Sequence, residues 1–410
     1  MRRRGADQHR AARGRPRFVI MVWGLVPGGT LGVLRDWVPR LASCGDVSVV
    51  SLGPDRASLG VPTVTLGARW SHPFRFPNAI GYVVRMAAAA IRSGPGGAAT
   101  VLVPQDGLAT GAAAVLASFL AGSRVVVMEH GSAAAVGTDR FWRERSAGKF
   151  IPAIRGVLLR TMLAVLHRVV LRRMDVALLA GEEEIAAYRS RGVDEGRLLR
   201  YRFGIDLDLF HPASAAERAA ARKRWGVEDD SPVILTVGRL SPEKGLDDLL
   251  AAVAGLRDDL AARLLVAGDG PLRAELERSA ATAGIRVTFI GGLARELVAS
   301  VLHSADCFAY AARRGANTPF AVLEAMSSGL PVIATAAPRV HRAMLADGRG
   351  IAIDPGDRAA LRAGIDRYLR DPEGAATAGA AARRYVEAHH APAAVDDAVS
   401  ALVRRLGLAG

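Results

Sequence analysis

Two cations and two glycines fall within the short stretch Val237-Gly238-Arg239-Leu240-Ser241-Pro242-Glu243-Lys244-Gly245. It follows the apolar run Val233–Val237 and opens a helical pattern whose first turn takes Pro242. Gly238 lets the backbone turn tightly beneath a ligand. Arg239 and Lys244 then offer positive charge from a single loop. A diphosphate needs such charge to bind, and again when it departs carrying developing negative charge. The competing reading is that both cations are solvated or paired with Glu243 or Asp247. The pattern alone leaves both readings open.

A second stretch, Thr318-Pro319-Phe320-Ala321-Val322-Leu323-Glu324-Ala325-Met326, runs into Ser327-Ser328-Gly329-Leu330-Pro331-Val332-Ile333. A punctuated loop entering a short helix presents free backbone N–H groups, which suit an anion. Glu324, about one turn inside, has the chemistry to accept hydrogen bonds from vicinal hydroxyls of a ribose. An inter-helix salt bridge is its bland alternative. Pro27-Gly28-Gly29-Thr30 follows the first strand candidate as a turn that suits a phosphate or sugar, and no GxGxxG fingerprint for a dinucleotide accompanies it. Glu129-His130-Gly131 ends another strand candidate, where His130 suits a sugar hydroxyl or proton handling, or simply a structural place. Gly268-Asp269-Gly270-Pro271 reads as a turn in which Asp269 caps a helix, and Gly291-Gly292 as backbone open to a flat ring.

These residues need elements to hold them. Strand candidates in the first half are Phe18–Leu25, Val47–Leu52, Thr100–Val103, Ser123–Met128 and Val176–Leu179. In the second half they are Val233–Val237, Arg263–Ala267, Arg286–Ile290, Cys307–Ala311, Pro331–Ala334 and Gly350–Ile353. Short, continuous and rich in valine and isoleucine, they match parallel strands covered on both faces. Helical patterns at Pro242–Leu256, Leu272–Ala283 and Thr318–Ser328 lie between them. The chain therefore reads as α/β, a layered parallel-sheet domain occurring twice. The expected division is a basic tail at 1–17, a first domain at 18–212 and a second at 213–390. A terminal helix at 391–410 follows, with a return to the first domain left open.

The 410 residues exceed what one core supports, and half of them are hydrophobic. The formal charge is +14, with Lys149, Lys223 and Lys244 the only lysines among an arginine majority. No finger spacing, RNP-like stretch or repeated basic helix accompanies that charge, so no nucleic-acid partner is expected. Cys44 and Cys307 fit no metal spacing and read as buried free thiols of a reducing compartment. The run Phe18–Val26 reads as a first strand rather than a signal peptide, and no stretch is long and apolar enough to span a bilayer. From Ser132 to Asp175 the chain is unusual. Gly156–Met174 interleaves arginines 160, 168, 172 and 173 with leucine, valine and methionine. Two readings stand: an amphipathic helix on an anionic membrane, or a core helix with a solvated arginine edge.

Taken in order, these stretches resemble glycosyltransferase family 4, whose members adopt the GT-B fold: two Rossmann-like parallel-sheet domains facing across a cleft. The resemblance runs from about Phe18 to Arg384 and is firmest from Arg200 to Pro331. It rests on Gly204-Ile205-Asp206 with Phe210-His211-Pro212, Val237-Gly238-Arg239-Leu240 with Glu243-Lys244-Gly245, Ala267-Gly268-Asp269-Gly270-Pro271, and Glu324-Ala325-Met326 with Gly329-Leu330-Pro331-Val332. It implies that Arg239 and Lys244 hold a donor diphosphate beside Gly238, and that Glu324 holds the ribose. Gly291 and Leu293 would meet the base, Gly28 and Gly29 would approach the phosphates or acceptor, and His130 would lie beside the transferred sugar. It further implies a retaining transfer from a UDP- or GDP-sugar, with protein cations in place of a metal and no cofactor. The acceptor would be a glycan, a lipid-linked sugar or a small molecule, handled in the cytoplasm or on the inner face of the membrane.

Two departures stand out. The glutamate that the family carries eight residues before the ribose-binding one is Ala316 here. Its sugar contacts would fall to neighbours such as Asn317, Thr318 and Phe320. A later glycine-rich segment reads Ala337-Pro338-Arg339-Val340-His341-Arg342, whose arginines suit an anionic donor sugar or solvent. Alternatives are a nucleotide-sugar epimerase, for which no acid/base pair is visible, and a degenerate donor-binding subunit, which Ala316 favours.

Overall fold

The computed structural model describes residues 15–25, 29–53, 55, 57–67, 78–94, 99–130, 164–227, 229–256, 260–314, 319–337 and 340–408. It divides into two compact units, Met1–Phe203 with Ala393–Gly410, and Gly204–Pro392. The first unit carries β1 (Arg17–Val22), β2 (Asp46–Ser51), β3 (Thr63–Thr65), β4 (Thr100–Pro104), β5 (Arg124–Met128), β6 (Val176–Leu179) and β7 (Leu198–Arg200). They form one parallel sheet in the order β3-β2-β1-β4-β5-β6-β7. The second unit carries β8 (Val233–Val237), β9 (Arg263–Ala267), β10 (Val287–Gly291), β11 (Cys307–Tyr310), β12 (Val332–Thr335) and β13 (Ile351–Ile353). Its order, β10-β9-β8-β11-β12-β13, is also parallel throughout.

Each sheet therefore winds outward in both directions from its first strand. The order reverses between β1 and β4 in one unit and between β8 and β11 in the other. At such a point the loops leaving the two strands part, opening a crevice at their carboxyl ends where ligands collect. Strands this central are buried on both faces, which is why β1, β4 and β8 read as largely apolar rather than alternating. The first core packs Val19, Met21, Leu102 and Val127 against helices that include Ala113 and Val170. The second packs Ile234, Leu264, Ala309 and Ile333 against Leu249, Leu276 and Ile365.

The structure corrects several expected elements. β3 was not read, because all three of its residues are exposed and leave no apolar run. The helix expected over Pro242–Leu256 is two pieces: a 3-10 turn at Pro242–Lys244, then a helix at Leu246–Ala254. Gly245 separates them at φ +60°, and a Cβ there would lie 2.2 Å from the Ala311 carbonyl oxygen. Asp269 does not cap the following helix, Arg273–Thr282; its carboxylate accepts from the Gly270 N–H at 2.8 Å. Both cysteines are free, with Cys307 buried and Cys44 only half-buried.

The division between units falls at Phe203/Gly204, ahead of the boundary read at 212. The reason lies in how 205–210 is tied. The Ile205 N–H donates to the His390 carbonyl at 2.7 Å, and Arg383 donates to the carbonyls of Phe210 (2.5 Å) and Ser327 (2.8 Å). The last helix, Ala393–Arg405, belongs to the first unit. Asp396 pairs with Arg40 at 2.6 Å, and Arg405 donates to the Leu198 carbonyl at 2.6 Å. No helix of the described residues is long and apolar enough to cross a membrane.

Candidate functional site

In the second unit, the loop leaving β8 is built by close backbone approach. The Gly238 N–H donates to the Ala267 carbonyl (2.9 Å), and the Leu240 N–H to the Asp269 carbonyl (3.0 Å). Gly268, at φ +147°, lies so near that a Cβ would stand 1.8 Å from the Gly238 carbonyl oxygen. Gly268 also bridges Gly291 at the end of β10, its N–H donating to the Gly291 carbonyl at 2.8 Å. On the other flank the Arg313 N–H donates to the Glu243 carbonyl at 2.9 Å, joining the β8 loop to the β11 loop. The two loops that part at the switch point are thereby fixed to each other.

Charge in this loop is sorted. The Ser241 hydroxyl donates to the Glu243 carboxylate at 2.5 Å. Arg313 takes Asp247 (2.5 Å) and Asp248 (2.8 Å), and Arg358 also binds Asp248 at 2.7 Å. Burial works against ionising Asp248, but the two guanidiniums outweigh it and hold its carboxyl below the usual range. Neither acid of the alternative reading makes a direct ion pair with Lys244 among the described residues. Burial opposes ionising Glu243, but the Ser241 bond, helped by the nearby charges of Lys244 and Arg239, holds its carboxyl below the usual range. The Lys244 ammonium donates to the Tyr310 hydroxyl at 2.8 Å and lies 5.4 Å from that ring's centroid. Arg239 is exposed, and its side chain makes no hydrogen bond or ion pair among the described residues.

Glu324 lies in the helix Phe320–Ser327, 8% exposed, and Arg295 on the helix Arg295–His303 places Nε 3.8 Å from its Oε1, the inter-helix ion pair of the alternative reading. The Arg295 guanidinium also covers the Phe210 ring at 5.3 Å. Phe320 heads that helix half-buried, and half-buried Leu293 follows β10 just before Arg295. Gly28, Asn317 and Thr318, together with Ala316 and Arg339, lie outside the described residues. The second unit thus carries Gly238, Arg239 and Lys244 on the loop leaving β8, Gly291 at the end of β10, and Glu324 one turn into the helix that follows β11.

In the first unit, Gly29 heads the helix Gly29–Cys44 after β1, and His130 follows β5. Gln105, just past β4, donates to the Val103 carbonyl (3.2 Å), which turns its Oε1 toward His130 Nε2 at 2.7 Å. With the Gln105 amide in this orientation, Nε2 is assigned the imidazole proton. Nδ1 stands 3.5 Å from the Tyr201 hydroxyl, which donates to the Glu129 carbonyl at 3.2 Å. Burial pushes His130 down to about 4, so it is neutral at pH 7. Of the segment from Ser132, only 164–175 is described. Its helical part, 164–173, buries His167, Val170 and Leu171 and exposes Val165, Arg168, Val169, Arg172 and Arg173. Sequence reasoning missed Gln105, Tyr201, Arg295 and Tyr310. For Tyr310 a signal existed: it is the polar residue closing the apolar strand Cys307–Tyr310 beside β8.

His167 and His341 are also buried and neutral, both pushed down to about 4, by burial alone in His341's surroundings except for the Thr335 carbonyl that opposes it. Unfolded, each would take a proton near 6.5. The unfolded chain thus binds more protons in this window, and stability falls as pH drops from about 6.5 toward 4. Each should cost about 2 kcal/mol by pH 5. Urea unfolding at about pH 7.5, 6 and 5 checks this, and a flat profile would contradict the neutral, buried assignment.

Residues 217–385 match the family model described as Glycosyl transferases group 1. The matched region fills most of the second unit, and there the chain is similar to that family. Among curated relatives, a GDP-mannose-dependent monoacylated alpha-(1-6)-phosphatidylinositol monomannoside mannosyltransferase of Corynebacterium glutamicum is 34% identical over 194 residues. That match covers 45% of this chain and 50% of the relative. An alpha-D-kanosaminyltransferase of Streptomyces kanamyceticus is 30% identical over 206 residues, covering 49% and 53%. The chain spans about half the length of these curated relatives. Among solved structures, Anabaena HepE in complex with UDP-glucose aligns with a TM-score of 0.76 at 18% identity, over 95% of this chain and 99% of that one. Sucrose-phosphate synthase from Thermosynechococcus elongatus gives 0.75 at 24%, over 97% and 100%. The fold is GT-B.

Proposed function

We propose that the protein is a glycosyltransferase that moves a hexosyl group from a GDP- or UDP-sugar to a glycan, lipid-linked or small-molecule acceptor. One observation carries the reading: a loop with two cations, neither of them in an ion pair with a carboxylate among the described residues, at the switch point of the sheet that the family model matches. A diphosphate seated there gains charge-assisted hydrogen bonds, and those bonds strengthen as the sugar–phosphate bond breaks. Fixed protein cations then do what a divalent metal does elsewhere, so transfer is proposed to be metal-independent. Glu324 accepts from the ribose hydroxyls. The neutral His130 presents a fixed tautomer for the sugar, and retention of configuration follows the family resemblance. The mannosyltransferase names among the relatives favour the GDP series.

Peripheral contact with an anionic membrane is part of the proposal, supported by Val165 and Val169 exposed beside Arg168 and Arg172 on one helix.

Calorimetric titration with GDP-, UDP- and ADP-sugars, with and without divalent metal, tests the reading. Binding of one nucleotide series without metal, lost in an Arg239→Ala, Lys244→Ala double variant, is expected. Folded protein that binds no nucleotide would overturn it.

A further inference from the structure

Tyr310 closes β11 at the carboxyl edge of the sheet, immediately beside β8, and is 5% exposed. Its hydroxyl oxygen accepts from the Lys244 ammonium at 2.8 Å. A phenol that accepts in this way keeps its own O–H to donate, and the ammonium keeps two further N–H groups. Three donors therefore converge at one spot, with the positive charge intact. A carboxylate in Tyr310's place would hold the lysine as firmly but cancel its charge.

The ring is itself fixed. His341 meets it edge-on at 6.1 Å between centroids, at an interplanar angle of 77°. His341 is fully buried and anchored through Nδ1 to the Thr335 carbonyl at 2.7 Å. The Thr335 hydroxyl in turn donates to the Ala312 carbonyl. This series of contacts spans the carboxyl ends of β8, β11 and β12, so the hydroxyl is held on strands rather than on a loose loop.

We propose that Tyr310 is a further ligand of the donor diphosphate, giving its O–H to a phosphate oxygen while its own oxygen holds Lys244. The proposal rests on the donor-site reading above. The test variant is Tyr310→Phe, which removes the hydroxyl but keeps the ring against His341 and under the ammonium.

Calorimetry with UDP and GDP should show affinity lower by roughly tenfold in Tyr310→Phe, the scale of one hydrogen bond to a charged group. In a Lys244→Met background the same change should cost less than about twofold, because the two groups act as one unit. Fully additive losses, or unchanged affinity in Tyr310→Phe, would overturn the assignment while leaving the donor site standing. Wild-type protein that binds neither nucleotide would remove both.

Lysine side-chain NMR supplies a readout independent of that variant's affinity. With only Lys149, Lys223 and Lys244 in the chain, the Lys244 signal can be assigned by substitution. It should move when UDP or GDP is added to wild type, and should already be displaced in unliganded Tyr310→Phe. A Lys244 signal indifferent to the Tyr310 hydroxyl would count against the pair.

Discussion

Lys244→Ala is expected to lower kcat/KM for the donor sugar by about 100-fold or more, with losses in both donor affinity and turnover. The reason is geometric. Lys244 sits between two backbone loops that are bonded to each other, and its ammonium is held by a hydroxyl rather than neutralised by an acid. Arg239, exposed and without a side-chain partner among the described residues, would remain as the only cation of that loop. It has no comparable support and would have to be ordered by the ligand. Ground-state binding and stabilisation of the departing diphosphate draw on the same charge, so one substitution should damage both. Because Lys244 is half-exposed, its loss should leave the thermal midpoint nearly unchanged. Steady-state kinetics beside nucleotide titration would check this. Unaltered kcat and donor Kd would take Lys244 out of the site.

Gly268→Ala is expected to destabilise the second unit by about 3 kcal/mol or more and to abolish nucleotide binding. Two penalties coincide there. At φ +147° any L side chain is strained, and the added Cβ would overlap the Gly238 carbonyl oxygen at 1.8 Å. That oxygen belongs to backbone, which cannot swing aside as a side-chain tip can. Relief would require moving the very loop that carries Arg239 and Lys244. Gly284 is the natural control, since it also has positive φ (+64°) but nothing within 4 Å of its Cβ position. Gly284→Ala should cost about 1 kcal/mol and spare binding. Denaturant midpoints of the two variants would decide it: equal losses would mean that the β8 loop yields easily to Gly268.

Much of this architecture was legible because central parallel strands are buried on both faces. Val176–Leu179, Val233–Val237 and Arg263–Ala267 stand where their apolar runs put them. The edge strand Thr63–Thr65 had no such signature, since solvent rather than a core covers it. The split of the helix after β8 was hidden for another reason. Gly245 is tolerable within a helical pattern, and only the nearby Ala311 carbonyl shows why a glycine is required. The cationic loop announced itself through residue types and spacing. What neutralises or spares those cations was not legible, because Asp247, Asp248 and Glu243 all lie within reach in sequence. The choice is made by Arg313, Arg358 and Ser241, two of them contributed by distant segments. Tyr310 escaped notice for the same reason: its bond to Lys244 spans 66 residues of chain.

The return of Ala393–Arg405 to the first unit makes that unit discontinuous in the gene, while Gly204–Pro392 is one uninterrupted stretch. On a ribosome, which releases the chain from its amino end, the later unit is therefore the first to be complete. The earlier one must wait, with the helix face around Arg40 and the edge at Leu198 uncovered, until Ala393–Arg405 emerges. A stop codon just past residue 392 would thus injure the half of the molecule encoded farthest from it.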